Sequence, residues 1–149
     1  MVSKVLFSSE TGEWETPQDL FDKLNTEYCF TIDVAATPEN AKCPTFITKE
    51  QDALTQPWHG RVWCNPPYGR GIVTKWVEKA TEEYWTGNAQ IIVMLLPART
   101  DTKWFHEYVY GAIGVDVGFI RGRLKFGGAK NSAPFPSMLV YWGCHNSNG

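Results

Sequence analysis

The run Val62-Trp63-Cys64-Asn65-Pro66-Pro67-Tyr68 constrains this chain more than any other segment. Val62-Trp63-Cys64 has the apolar character of a short strand, and the two prolines behind it end that strand abruptly. Each has a fixed φ and no backbone N–H, so neither can donate to a sheet ladder. Their carbonyls project from a stiff turn that can only accept hydrogen bonds, Asn65 adds a side-chain carbonyl, and Tyr68 adds a flat π-face. A group of this make-up suits a planar exocyclic amine. Accepting both amine hydrogens frees the delocalised nitrogen lone pair and stabilises the positive charge that develops as the nitrogen attacks an electrophile. An Asn-initiated Pro-Pro turn also closes strands in ordinary loops. The strand before it, with Gly69 and Gly71 after it, matches instead the carboxyl edge of an open α/β sheet, where ligands bind.

Helix and strand patterns alternate around this turn. Thr16 as a cap, Pro17 at the first helical position and Asp19 near the positive end of the dipole predict a helix running to roughly Leu24. Phe30–Val34 is rich in β-branched and aromatic residues and predicts a strand, Ala35–Pro44 a loop, and Phe46–Thr48 a second short strand before a polar stretch holding Asp52. Val73, Val77, Ala80 and Tyr84 fall at helical spacing, Ile91–Leu96 reads as a buried strand, and Thr102–Tyr110 as a further helix. Val115–Ile120, Arg123–Phe126 and Ser137–Trp142 read as strands separated by glycine-rich turns. This order predicts a three-layer α/β/α sheet with a terminal antiparallel hairpin.

The 149 residues, 43% of them hydrophobic, fit one domain over 1–149, with 1–13 as an irregular N-terminal arm and 143–149 as a tail. No signal-peptide pattern opens the chain, and its longest apolar run, Ile91–Leu96, stops at Pro97, too short to cross a bilayer; a soluble intracellular protein without membrane contact is expected. Cys29, Cys43, Cys64 and Cys144 form no C-x-x-C pair and His59, His106 and His145 are scattered, so neither a metal site nor a disulfide framework is expected.

Charge is unevenly distributed. The net charge of −2 argues against a non-specific nucleic-acid binder. Residues 1–60 nevertheless carry 4 Lys+Arg against 10 Asp+Glu, and residues 61–149 carry 10 against 6, so the half containing the Pro-Pro turn has a surplus of +4. Three segments carry groups suited to phosphate: Gly69–Lys75 with Arg70 and Lys75, Arg99–Lys103 with both end residues, and Arg121–Asn131 with Arg121, Arg123, Lys125 and Lys130. A solvated charged face is the alternative for any one of these cations.

The segments TPQDLFDKLN, FTIDVAAT, ENAKC, VWCNPPYGR, VMLLPARTDTKWF, GRLKF and PFPSMLVYW, in this order, resemble the phage-encoded DNA N6-adenine methyltransferases of the Dam type over residues 14–142. The resemblance implies a Rossmann-like sheet, here abbreviated because only about thirty residues separate Asp33 from Asn65. It implies transfer of a methyl group from S-adenosylmethionine to adenine N6 in double-stranded DNA, leaving S-adenosylhomocysteine. On that reading Asn65, Pro66, Pro67 and Tyr68 form the catalytic motif, with Asn65 Oδ1 and the Pro66 carbonyl accepting from N6 and Tyr68 stacking on the flipped base. Phe126 is the candidate for the opposite face.

Thr16 and Pro17 match a segment that lies against the cofactor's methionine moiety in similar enzymes, and Asp33 matches the acidic residue closing the first strand. Ala35 stands, within Val34-Ala35-Ala36, where the wider superfamily has a glycine-rich turn. Asp52 occupies the place of an acidic residue that accepts from the cofactor's adenine amine, and equally reads as a loop cap. Asn65 borders the cofactor as well as the base. The resemblance further implies a phage or prophage gene serving restriction evasion, and a monomer or weak homodimer in the cytoplasm of a bacterial host. Similar NPPY turns occur in methyltransferases acting on protein glutamine or RNA bases, and a non-catalytic nucleic-acid-binding module would use the same aromatics and arginines.

Overall fold

The computed structural model describes residues 14–144. The expected arm at 1–13 and residues 145–149 of the expected tail lie outside the described residues. The tail does not begin at 143: Gly143 N–H donates to the Gly114 carbonyl at 2.9 Å and Cys144 is buried.

A five-stranded mixed sheet organises the chain: β1 (Ile32–Asp33), β2 (Gly60–Cys64), β3 (Ala89–Pro97), β4 (Val115–Phe119) and β5 (Ser137–Trp142), in the order β1-β2-β3-β5-β4. β1, β2 and β3 run parallel, while β5 runs antiparallel to both β3 and β4. The apolar run expected to be a buried strand extends to Ala89–Pro97 and forms the sheet's centre, buried everywhere except Gln90. A strand covered on both faces carries such a continuous apolar run. The terminal antiparallel pair is β4 and β5, joined by residues 120–136.

Helix α1 (Gln18–Tyr28) starts later and runs further than its sequence pattern suggests. Pro17 takes the N-cap position and no side chain caps the helix, so Thr16 is not the cap. The helix ends where Cys29 turns left-handed at φ 52° and the Asn25 side chain accepts the Phe30 N–H at 2.8 Å. Phe21 and Leu24 are buried, and Phe21 meets Trp63 of β2 edge-on at 5.5 Å. Helix α2 (Ile72–Trp85) buries Val73, Trp76, Val77, Ala80 and Glu83, a stripe at helical spacing. Gly71 begins it at φ 77°, a left-handed conformation that glycine adopts without steric cost. Trp142, one residue along β5 from Tyr141 and therefore on the opposite sheet face, donates its indole N–H to Thr81 of α2 at 3.2 Å.

Four expected elements come out differently. The strand at Phe30–Val34 contracts to Ile32–Asp33, and Phe46–Thr48 contracts to a single parallel bridge between Asp33 and Phe46. The helix at Thr102–Tyr110 is confined to 103–109, with a π-helical turn over Phe105–Val109. Arg123–Phe126 is not a strand: only Gly127 pairs, in one antiparallel bridge with Glu15. Its alternation of charged and apolar residues permits a strand, but beside that bridge its carbonyls take only isolated bonds, Leu124 from the Ala133 N–H at 2.7 Å and Phe126 from the Ala129 N–H at 3.0 Å, and no ladder forms among the described residues.

Glu83 joins α2 to the approach of β2. Its carboxylate accepts the buried Trp58 N–H at 2.7 Å and the Asn88 amide at 3.1 Å, and pairs with Lys79 at 3.1 Å. Burial pushes its pKa up, but those donors outweigh burial and hold it below the ordinary value. Glu83→Ala leaves the Trp58 N–H buried and unpaired, and should cost about 1–3 kcal/mol in urea unfolding. Glu83→Gln, which keeps an acceptor, should cost less.

Candidate active site

Because β1, β2 and β3 are parallel, Asp33, Asn65 and Pro97 come to one edge of the sheet. β4 ends and β5 begins at the same edge, so residues 120–136 cross it as well. The Pro-Pro turn, the start of α2 and the chain after β3 therefore converge, and they bring Arg70, Lys75, Arg99, Lys103, Arg121, Arg123, Lys125 and Lys130 to that side. All eight cations are exposed. The sheet thus gathers the three basic segments that the sequence distributes over sixty residues.

At the turn, the Asn65 amide nitrogen donates to the Trp14 carbonyl and, at 2.9 Å, to Thr16 Oγ1. Asn65 Oδ1 is buried and has no hydrogen-bond partner among the described residues. A buried unpaired acceptor costs about 1–3 kcal/mol, and such an atom calls for a donor. Pro66 is buried beside it and Pro67 half-buried, and neither has an N–H.

Tyr68 is 7% exposed, so it is not the open plate that the sequence suggests. Its hydroxyl donates to the Leu95 carbonyl at 2.9 Å, and burial raises its pKa well above the usual range, keeping it a neutral donor. Phe126, 2% exposed, and Phe135 meet the tyrosine ring edge-on at 6.4 Å and 5.8 Å. Phe126 is therefore an edge contact of Tyr68 and not a parallel second face. Trp14 closes the group, 5.4 Å from Phe126 and 5.2 Å from Phe135. Tyr68 of the turn is thus packed in a group of four aromatic rings. Sequence patterns do not single out Trp14 or Phe135; the available signal is a large aromatic held between Pro134 and Pro136, whose fixed φ angles limit where it can point.

Asp33 is 3% exposed. Its two carboxylate oxygens accept from Ala35 N–H at 3.2 Å and Lys42 N–H at 3.0 Å. The Val34 and Ala36 N–H groups donate to the carbonyls of Trp63 and Ile47. Every N–H of the Val34-Ala35-Ala36 turn is used within the protein, so the turn offers a ligand acceptors and not donors. Pro17, half-buried, follows Thr16 directly, and Thr16 is brought onto Asn65 itself. Asp52 stands apart: it is exposed, left-handed at φ 56°, and its carboxylate accepts from Leu54 N–H at 3.2 Å, capping its own short turn. The cap reading of Asp52 is the one its contacts support. No group of three or more potential metal-ligating side chains occurs among the described residues.

Burial pushes the Asp33 carboxyl up to about 6, against the pull of the Lys42 and Ala35 N–H groups and the Lys42 charge. A carboxyl whose pKa is higher folded than unfolded penalises the folded state when ionised. The penalty is absent below about pH 4, grows as pH rises through 6 and is constant above. Carboxyl 13C NMR should give an Asp33 midpoint near 6. Relative to Asp33→Asn, the wild type should lose about 3 kcal/mol of stability between pH 4 and pH 7. A midpoint near 4 would show that the N–H donors dominate instead.

Residues 4–146 match the family described as DNA N-6-adenine-methyltransferase (Dam). Over 97 residues, 63% of this chain, it is 38% identical to a DNA N-6-adenine-methyltransferase of Escherichia phage T1, and over 107 residues, 70% of the chain, 36% identical to one of Haemophilus phage HP1 (strain HP1c1). The aligned regions span 39% and 60% of the lengths of those two relatives. With the Asn-Pro-Pro-Tyr turn at the carboxyl edge and a family match running almost from end to end, the chain belongs to the DNA N-6-adenine-methyltransferase (Dam) family.

Proposed function

We propose that this protein transfers a methyl group from S-adenosylmethionine to the N6 amine of adenine in double-stranded DNA. The observation that carries the reading is Asn65 Oδ1, a buried acceptor without a donor at the carboxyl end of β2, next to the N–H-free Pro66. An adenine N6 bears two hydrogens, one for Asn65 Oδ1 and one for the Pro66 carbonyl. The family and both phage relatives support the substrate class. The fold we propose is a three-layer, Rossmann-like α/β/α domain over the whole chain, supported by α1 on Trp63 and α2 on Trp142.

The acceptor groups present fit the cofactor. Its ammonium and ribose hydroxyls need acceptors, and the ends of β1 and β2 offer the Asp33 carboxylate, each oxygen with a lone pair to spare, and the Thr16 hydroxyl. Thr16, Pro17, Asp33 and Ala35 would hold it, with Asn65 bordering its methyl, and Asp52 would reach it only by leaving its own turn. S-adenosylmethionine supplies an electrophilic methyl group on sulfonium. The chain supplies position and charge stabilisation: Asn65 Oδ1 and the Pro66 carbonyl orient N6 and stabilise its developing positive charge, and no strong base is needed.

A duplex hides N6 in the base stack, so the target adenine flips out at a cost of a few kcal/mol. To stack on Tyr68 it displaces Phe126 or Phe135 from their edge contacts with that ring. Arg70, Lys75, Arg99, Lys103, Arg121, Arg123, Lys125 and Lys130 would contact backbone phosphates around that opening. We further propose a monomer or weak homodimer acting in the host cytoplasm, encoded by a phage or prophage; the two phage relatives support the phage origin.

Tritiated-methyl transfer from S-adenosylmethionine to duplex DNA, RNA and protein, followed by mapping of modified adenines, tests the reading. DNA N6-methyladenine is expected, and label in RNA or protein alone would overturn it. Asn65→Ala should lower transfer at least ~10²-fold, the loss typical of one preorganised partner. Replacing Arg123 and Lys125 with Ala should weaken DNA binding, lower the log–log salt slope by up to about one unit for each phosphate no longer neutralised, and leave cofactor affinity unchanged. An unaltered slope would move the DNA surface to the other two basic segments.

A further inference from the structure

Trp14's main-chain carbonyl can only accept a hydrogen bond, so the amide edge of Asn65 that faces it must be the NH₂ edge. The second amide hydrogen goes to Thr16 Oγ1 at 2.9 Å. Both donors of Asn65 are therefore spent inside the protein, and Oδ1 is left as its single unused, buried polar atom. One hydrogen bond would fix a point of the amide; two fix its plane. The difference matters because an Asn χ2 torsion is broad and the flipped amide would present hydrogens to an amine that itself donates.

Thr16 is 4% exposed, and its hydroxyl is free for this role because Pro17, not Thr16, stands at the start of α1. The segment is anchored on both sides of it. Gly127 N–H donates to the Glu15 carbonyl at 2.8 Å, and Phe21 N–H donates to the Pro17 carbonyl at 3.2 Å. Asn65 and Thr16 lie 49 residues apart in the chain, so no local turn explains the contact.

We propose that Thr16 is a positioning residue for methyl transfer, its hydroxyl holding the Asn65 amide so that Oδ1 faces the target amine. The proposal rests on the functional reading above and adds to it a residue that acts through another. Contact with the cofactor and control of the amide are separable, since the first acts on cofactor KM and the second on kcat at saturating cofactor.

Thr16→Val keeps the shape and removes the acceptor; Thr16→Ala removes both; Thr16→Ser restores the hydroxyl. At saturating cofactor and duplex DNA, single-turnover methyl transfer should fall about ten-fold in the Val and Ala variants, the effect of one hydrogen bond, and recover in Ser. In the free protein, 15N-resolved exchange of the Asn65 side-chain NH₂ should show both hydrogens protected in wild type and Ser, and one released in Val or Ala. An inactive wild type would refute the functional reading and this proposal with it. With an active wild type, unchanged rates and unchanged exchange in both Val and Ala, or a loss that Ser does not restore, would overturn the positioning role alone.

Discussion

Pro66 and Pro67 have no hydrogen to give a neighbouring strand, and the whole edge of the molecule follows from that. The β2–β3 ladder ends at the Cys64–Met94 pair, while β3 runs on to Pro97 with β5 as its remaining partner. The chain leaves the sheet at Asn65 while still buried between layers of apolar residues, and its next polar atoms must find partners outside the ladder. Tyr68 finds the Leu95 carbonyl, exposed to it because β2 has stopped. Asn65 finds Trp14 and Thr16 for its nitrogen and nothing for its oxygen.

Desolvation without full compensation is the common thread of the site. Asp33 is buried enough for its carboxyl to titrate near 6, although two backbone N–H groups accompany it. Asn65 Oδ1 and the Ser137 hydroxyl, at the start of β5 on the same edge, are buried and unpaired. Such atoms destabilise an isolated domain, and proteins keep them mainly where a ligand completes them. The aromatic group of Trp14, Tyr68, Phe126 and Phe135 packs at the turn beside Asn65. Aromatic edge contacts of this kind are individually worth about 0.5–1.5 kcal/mol, weak enough to be exchanged for stacking on a base.

Charge works at longer range. The net charge is slightly negative, but the cations stand on the loops and helix starts that follow the carboxyl ends of the strands, and the carboxylates of Asp33 and Asp52 are turned to backbone N–H groups. Over these segments the exposed guanidinium and ammonium groups outnumber the exposed carboxylates of Asp101 and Glu107, the latter paired with Lys103 at 3.9 Å, which favours the approach of a polyanion.

Much of this was legible in the sequence. Runs of apolar residues set β2, β3, β4 and β5, the 3.6-residue stripe set α2, and two prolines set the turn, because each depends on a few adjacent residues and on periodicities that any neighbour would respect. The carboxyl edge followed from parallel topology. What only the tertiary structure decided were contacts between residues far apart in the chain. Thr16 reads locally as a helix cap, yet its hydroxyl goes to an amide 49 residues away. Asp52 reads equally as ligand or cap, and the Leu54 N–H two residues on claims it. Arg123–Phe126 alternates like a strand but makes no ladder: Gly127 bridges to Glu15, the Leu124 carbonyl takes the Ala133 N–H, and Phe126 lies edge-on to Tyr68. A sequence pattern states what a segment can present to a neighbour; which neighbour arrives, and which polar atom is left without one, is settled only when the whole chain competes for the same hydrogen bonds and the same buried volume.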